Sequence, residues 1–312
     1  MFRKRRLRLP LFYWKGRNAL RTLTFTVPAE YEGCRLKGFL RGYCNVSARL
    51  LVKLKRVPNG LCVNGTHAAA VSLLRAGDNV CLNLPQDEET AVPSEVPISV
   101  LYEDADLLAV NKPAGMAMYP VPGSDSGTLS NAAAFHWRGA GESCRFRPVY
   151  RLDKNTSGIV IIAKNSYIAA ALSHNIQKEY IAVCEGILLG EGTIDSPIAL
   201  APGSKIQRMV SPCGEAAVTH WQSVCSKNDL TFLKIHLETG RTHQIRVHLS
   251  SIFHPLSGDD LYGGHLDKIG RQALHCHSAR LIHPVTKEPL FLQAPLPEDF
   301  VLLLRELNVV IA

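Results

Sequence analysis

Residues 86–97 read QDEETAVPSEVP, with four acids, two prolines and little that is apolar. Such a stretch cannot bury a face or continue a strand, so it reads as a linker dividing a short front from a long body. The two sides differ in charge. The first 85 residues carry sixteen Lys and Arg against three Asp and Glu, a net +13, and the other 227 sum to −5 within an overall +8. A basic front on a mildly acidic body suggests a module for a polyanion joined to a part that does chemistry. The longest apolar runs, such as residues 159–163, are strand-sized, which excludes a membrane-spanning helix.

Nine cysteines are scattered through apolar stretches with no C-x-x-C pair, the pattern of reduced thiols in a cytoplasmic protein. The first 21 residues carry eight basic side chains and no acid, and their apolar stretch is broken by Pro10 and stopped by Lys15. That is too short for a secretory signal, and a transit peptide would be richer in serine. A disordered basic extension is expected.

In the front, residues 35–43 place Leu36, Phe39 and Leu40 at helical spacing. Ser47 is a good N-cap for residues 48–56, where Leu50, Leu51 and Leu54 form one face and Arg49, Lys53 and Arg56 a basic stripe. Strand-like residues 61–63, a turn at Asn64-Gly65 and a strand over 80–84 follow. Beyond the linker, strands outnumber helices without regular βαβ alternation: 98–102, 107–111, 159–163, 180–185, 217–223 and 231–237, with helices over 165–177 and 242–252. This order points to an α+β fold.

Three segments carry the chemistry. YRLDKNTSGIVIIAK, residues 150–164, sets Asp153 in a polar turn before a buried strand. In LETGRTHQIRVHLSSI, residues 237–252, Thr242 is placed to cap a helix whose first turn gathers Arg241, His243, Gln244 and Arg246, cations poorly placed for the helix dipole. Unfavourable local placement suggests an external use, and an arginine reaching a buried carboxylate keeps it ionised, as a nucleophile requires. KEYIAVCEG, residues 178–186, opens a strand with Tyr180, either an ordinary core aromatic or a group that stacks on a base and moves a proton.

Together with VNKPAGM (110–116) and HPLSGDDLYGG (254–264), these segments resemble the RluA-type family of pseudouridine synthases over roughly residues 98–300. The front, through SARLLVKLKRVPNGLCVNG and RAGDNV, resembles an S4-type RNA-binding domain. The resemblance implies an extension (1–21), an S4-like module (22–86), a linker (87–97) and a catalytic domain (98–312). The expected fold is a mixed, largely antiparallel sheet with flanking helices and a central cleft. It implies Asp153 as catalytic aspartate paired with Arg246, Tyr180 contacting the flipped base, Ile245 packing beside the uracil and Arg151 filling the vacated space. Arg49, Lys53 and Arg56 are expected to meet RNA phosphates. Tyr150 stands where the family usually has His. No cofactor or metal is implied, and the expected species is a monomer acting on RNA. Large-subunit ribosomal RNA is the expected target, with tRNA as runner-up. Two readings compete with this one: a metal-dependent hydrolase using His275 and His277, and a non-catalytic RNA-binding protein of the same fold.

Overall fold

The computed structural model describes residues 21–85, 91–121, 126–173 and 175–309. Residues 1–20 of the expected extension and residues 87–90 of the linker lie outside the described residues.

The front consists of β1 (Thr22–Thr26), α1 (Leu36–Gly42), α2 (Ala48–Leu54), β2 (Leu61–Val63), β3 (Thr66–His67) and β4 (Asn79–Asn83). Its antiparallel sheet has the order β1-β4-β2-β3. Leu36, Phe39 and Leu40 of α1 and Leu50, Leu51 and Leu54 of α2 share one apolar cluster with Leu23, Leu61, Val80 and Leu82 of that sheet. Ser47 caps α2, its hydroxyl accepting from Leu50 N–H at 3.2 Å. Asn64 and Gly65 both have positive φ, the geometry a two-residue hairpin needs. Because α2 ends at Leu54, Arg56 lies past the helix; only Arg49 and Lys53 of the expected stripe are on it. All three are exposed and have no ion-pair partner among the described residues.

The body runs β5 (Ser99–Glu103), β6 (Leu107–Lys112), α3 (Leu129–Gly139), β7 (Ser157–Ala163), α4 (Ser166–Leu172), β8 (Ile176–Glu185), β9 (Glu191–Asp195), β10 (Ile198–Leu200), β11 (Arg208–Val210), β12 (Val218–Lys227), β13 (Leu230–Leu237), α5 (Gln244–Ser251), β14 (Leu274–Ile282), β15 (Pro289–Gln293) and α6 (Glu298–Glu306). Nine strands form one sheet in the order β5-β6-β7-β14-β8-β13-β12-β9, with β15 on β14. β7 and β14 pair in parallel and the other neighbours are antiparallel, so the α+β, largely antiparallel architecture expected is the one found. Every residue of β7 is buried, which explains its unbroken apolar run. β8 alternates: Tyr180, Ala182 and Cys184 join Ile245 and Leu249 of α5, whereas Ile181 and Val183 join Phe300, Leu303 and Leu304 of α6.

In the body, two further helix boundaries differ from expectation. The helix begun at Asn165 stops at Leu172, and Ile176 and Gln177 instead open β8, because pairing with Leu281 and Arg280 of β14 overrides local propensity. The next helix begins at Gln244 and not at Thr242, because His243 takes a left-handed conformation with φ 58°.

The front rests on the body. The apolar cluster is continuous from Leu23 to Ile168, Phe25 meets Tyr167 edge-on at 6.1 Å, and Arg21 bonds Asp106 with Nε at 3.0 Å and with Nη2.

Candidate active site

Asp153 sits in the loop that enters β7, and that loop is fastened at nearly every residue. The fully buried Lys112 donates from Nζ to Lys154 O at 3.0 Å, and also to Pro113 O and Met116 O. Arg271 Nη1 donates to Asn155 O at 3.2 Å while its Nε and Nη2 hold Asp299 of α6. Gln272 Nε2 donates to Thr156 Oγ1 at 3.2 Å, and Ser157 Oγ bonds His275 Nδ1 at 2.9 Å. Gly158 closes the loop at φ 113°, where a Cβ would stand 2.2 Å from Cys276 O, so the parallel pairing of β7 with β14 requires glycine. Burial pushes the Lys112 amine down to about 7, with the charge of Asp153 opposing the shift. None of the fastening side chains bonds the Asp153 carboxylate, which is therefore held by its backbone and left available.

Arg246 reaches that carboxylate from α5, Nη1 donating to Asp153 Oδ2 at 3.3 Å. Its stronger engagement is elsewhere: Nε and Nη2 each lie 2.7 Å from an oxygen of Asp259. Burial works against the Arg246 charge, and Asp259 and Asp153 more than offset it, so its pKa is raised. Gly258 at φ 77°, where a Cβ would lie 2.0 Å from Arg271 O, sets the turn that presents Asp259. Arg246 thus meets the expected Asp153 and, in addition, Asp259. The Asp259 side chain has no exposure, while that of Asp153 is 26% exposed.

The other members of the cluster in the GRTHQIR segment divide. His243 faces the site, with Nε2 3.9 Å from Asp153 Oδ2 and Nδ1 sharing a 2.8 Å hydrogen bond with Tyr262 OH, which accepts from Arg208 N–H at 2.9 Å. Burial lowers its pKa below the ordinary 6.5, which favours the neutral ring, with the charge of Asp153 opposing the shift. Arg241 turns away to Glu215 and Ala216 O. Gln244 is structural: its Oε1 accepts from Arg241 N–H and the Thr239 hydroxyl. The Arg246 guanidinium also lies over the Tyr262 ring, 4.9 Å from its centroid.

Tyr180 is 5% exposed on the α5 face of the sheet. Burial, with the Asp153 charge adding to it, holds the phenol well above its ordinary value, so it is a hydrogen-bond donor at neutral pH. Ile245 is 4% exposed beside Arg246, and Arg151 is exposed with Nη2 3.5 Å from Thr242 Oγ1. Arg49, Lys53 and Arg56 belong to the front and not to this cluster. Lys112, Asp259 and Tyr262 carry no individual signal in the sequence, although VNKPAGM and HPLSGDDLYGG contain them.

A metal reading finds little support. His275 Nδ1 is engaged by Ser157, and no third ligand joins His275 and His277 among the described residues. Asp104, Asp106 and His283 converge, but Arg21 already binds Asp106. A cavity of about 390 Å³ lined by Asn111, Lys112, Ser157 and Pro297 includes none of Asp153, Tyr180 and Arg246.

Residues 106–251 match the family model described as RNA pseudouridylate synthase. A Bacillus subtilis protein named uncharacterized RNA pseudouridine synthase YjbO is 39% identical, over 86% of this chain and 97% of its own. The chain belongs to the RluA-type family of RNA pseudouridine synthases. As an RNA pseudouridine synthase it is an isomerase, turning uridine in RNA into pseudouridine. A protein of Escherichia coli O6:H1 named ribosomal large subunit pseudouridine synthase D is 36% identical, over 91% of this synthase and 93% of its own length. The solved structure of human RNA pseudouridylate synthase domain containing 4 shares the fold, with TM-score 0.55 and 23% identity over 68% of this synthase and 94% of that chain.

Proposed function

We propose that this synthase isomerises uridines of large-subunit ribosomal RNA, with Asp153 as the essential carboxylate acting on a base flipped out of the RNA. The reaction breaks N1–C1′ and makes C5–C1′, and the hydrogen lost from C5 is matched by one gained at N1. No electrons change hands and no cofactor is called for. What the reaction needs is an ionised carboxylate on a rigid mount, a donor for the base and an acceptor for the C5 proton. Asp153, on its fastened loop with Arg246 Nη1 at 3.3 Å, meets the first need. The protonated Tyr180 phenol supplies a donor, and the buried Ile245 an apolar contact beside Arg246. Arg151 is the residue assigned to the space the base leaves, a role its exposure at the start of the loop supports.

The observation that carries this reading is the inequality between the two carboxylates on Arg246. Asp259 is sealed and takes two N–H groups, whereas Asp153 takes one and keeps 26% of its side chain open to a substrate. The ribosomal target is supported by relatives in Haemophilus influenzae and Escherichia coli O6:H1 named ribosomal large subunit pseudouridine synthase D. The front supports RNA binding as an S4-like module, since Arg49, Lys53 and Arg56 are exposed cations without ion-pair partners among the described residues. Nine free thiols support a reducing, cytoplasmic setting.

Pseudouridine mapping of total RNA from cells with and without the gene tests both halves. Loss of a site in large-subunit ribosomal RNA is expected. Loss confined to tRNA replaces the substrate, and an unchanged map leaves the non-catalytic RNA-binding reading.

A further inference from the structure

Lys178 lies two residues before Tyr180 in β8, so the two side chains leave the sheet on the same face. Its Nζ stands 4.2 Å from the centroid of the Tyr150 ring, and the Tyr150 hydroxyl donates to Ile159 O at 3.0 Å. The ring is thus fixed to β7, the strand that follows the Asp153 loop, and the lysine is propped against it. Lys178 and Tyr150 are both half-buried. The neighbouring Cys276 thiol is fully buried, and burial pushes it up to about 11, so it carries no charge to answer the ammonium.

Other enclosed cations of the body are answered within the protein. Lys112 meets three carbonyls, Lys164 meets Glu103 and Glu142, Arg246 meets Asp259 and Arg271 meets Asp299. Lys178 has no hydrogen-bond or ion-pair partner among the described residues. A half-desolvated ammonium without a counter-charge is unfavourable in the free protein, and an anion arriving from outside relieves it.

We propose that Lys178, held on the Tyr150 ring, binds a backbone phosphate of the RNA strand next to the uridine at Asp153. The inference rests on the proposed reading of the Asp153 site. Its position follows from the chain: Tyr150 is three residues before Asp153, and Lys178 two before Tyr180. The phosphate is therefore one adjoining the base that lies between those side chains. An ammonium on a flexible stem suits a single phosphate oxygen as a point charge, and the fixed ring reduces the freedom lost when the contact forms.

The test uses the full chain and a large-subunit ribosomal RNA transcript carrying tritium at uridine C5, with binding and single-turnover tritium release measured across a salt series. Lys178→Met is expected to weaken binding about tenfold and to flatten the plot of log affinity against log salt by about 0.7. Lys178→Arg keeps the wild-type slope. Acetylation of wild-type lysines, read by mass spectrometry, is expected to slow at Lys178 several-fold when the transcript is bound. This arm decides the matter even if Lys178→Met misfolds. Wild-type affinity and slope in a folded Lys178→Met, or equal acetylation with and without transcript, overturns the contact. A wild type that releases no tritium overturns the reading of Asp153 instead, so the two failures are separable.

Discussion

Arg246 serves two carboxylates of unlike character, and their substitution separates support from chemistry. Asp259→Asn leaves a guanidinium that is 8% exposed without its two-pronged partner, so a loss of about 3 kcal/mol in urea unfolding is expected, as for other broken buried ion pairs. Asp153→Asn removes one 3.3 Å bond at a partly open carboxylate, and its stability is expected to stay within about 1 kcal/mol of wild type. Equal destabilisation by the two would contradict this division. Asp153 and Arg246 were legible because each sits in a long contiguous motif, RLDKNTSG and GRTHQIR. Asp259 was not, since an acid in a GDD turn reads as turn chemistry until its burial beside Arg246 is seen. His243 was legible as a member of the GRTHQIR cluster but its backbone was not: nothing in THQ announces a non-glycine residue at φ 58°.

At the scale of the element, two segments are held by dense side-chain fastening, the β5–β6 turn beside the front and the loop entering β7. In the first, Asp104 Oδ1 accepts from Asp106 N–H and Leu107 N–H, both at 2.7 Å, and Oδ2 accepts from Tyr102 OH. His283 Nε2 stands 3.0 Å from the same Oδ2 without hydrogen-bond alignment. Burial works against the Asp104 charge, but His283 beside Oδ2, the Tyr102 hydroxyl and the two backbone N–H groups outweigh it and hold the carboxyl far below its ordinary value. A carboxyl so depressed stabilises the fold above its unfolded pKa and loses that contribution as pH falls through the folded one. The advantage of wild type over Asp104→Asn in thermal unfolding is therefore expected to be full at pH 7 and to shrink progressively below about pH 4. An advantage independent of pH would show that shape and not charge holds the turn. The strand β7 was legible as an unbroken apolar run, because only a strand buried on both faces takes one. The short α4 was overextended because AAAL favours helix locally, whereas the pairing of Ile176 with Leu281 is made by residues a hundred positions away.

For the whole molecule, the division of charge was legible, but the docking of front on body was not, since no spacing encodes Arg21 against Asp106 or Phe25 against Tyr167. The shared core means that the front is best tested in place. Replacing Arg49, Lys53 and Arg56 together by Gln touches only exposed side chains. The salt dependence of RNA binding is expected to flatten by about 2 in log–log slope, with stability nearly unchanged; an unaltered slope would remove the front from the RNA interface. In the proposed reading, front, sheet and fastened loop serve one function, the presentation of a uridine to Asp153. The most direct measurement is tritium release from RNA labelled at uridine C5 by wild type and Asp153→Asn, both shown to be folded and to bind RNA. Release by wild type and none by the variant is the predicted result, and turnover by the variant at a rate near wild type would contradict the account.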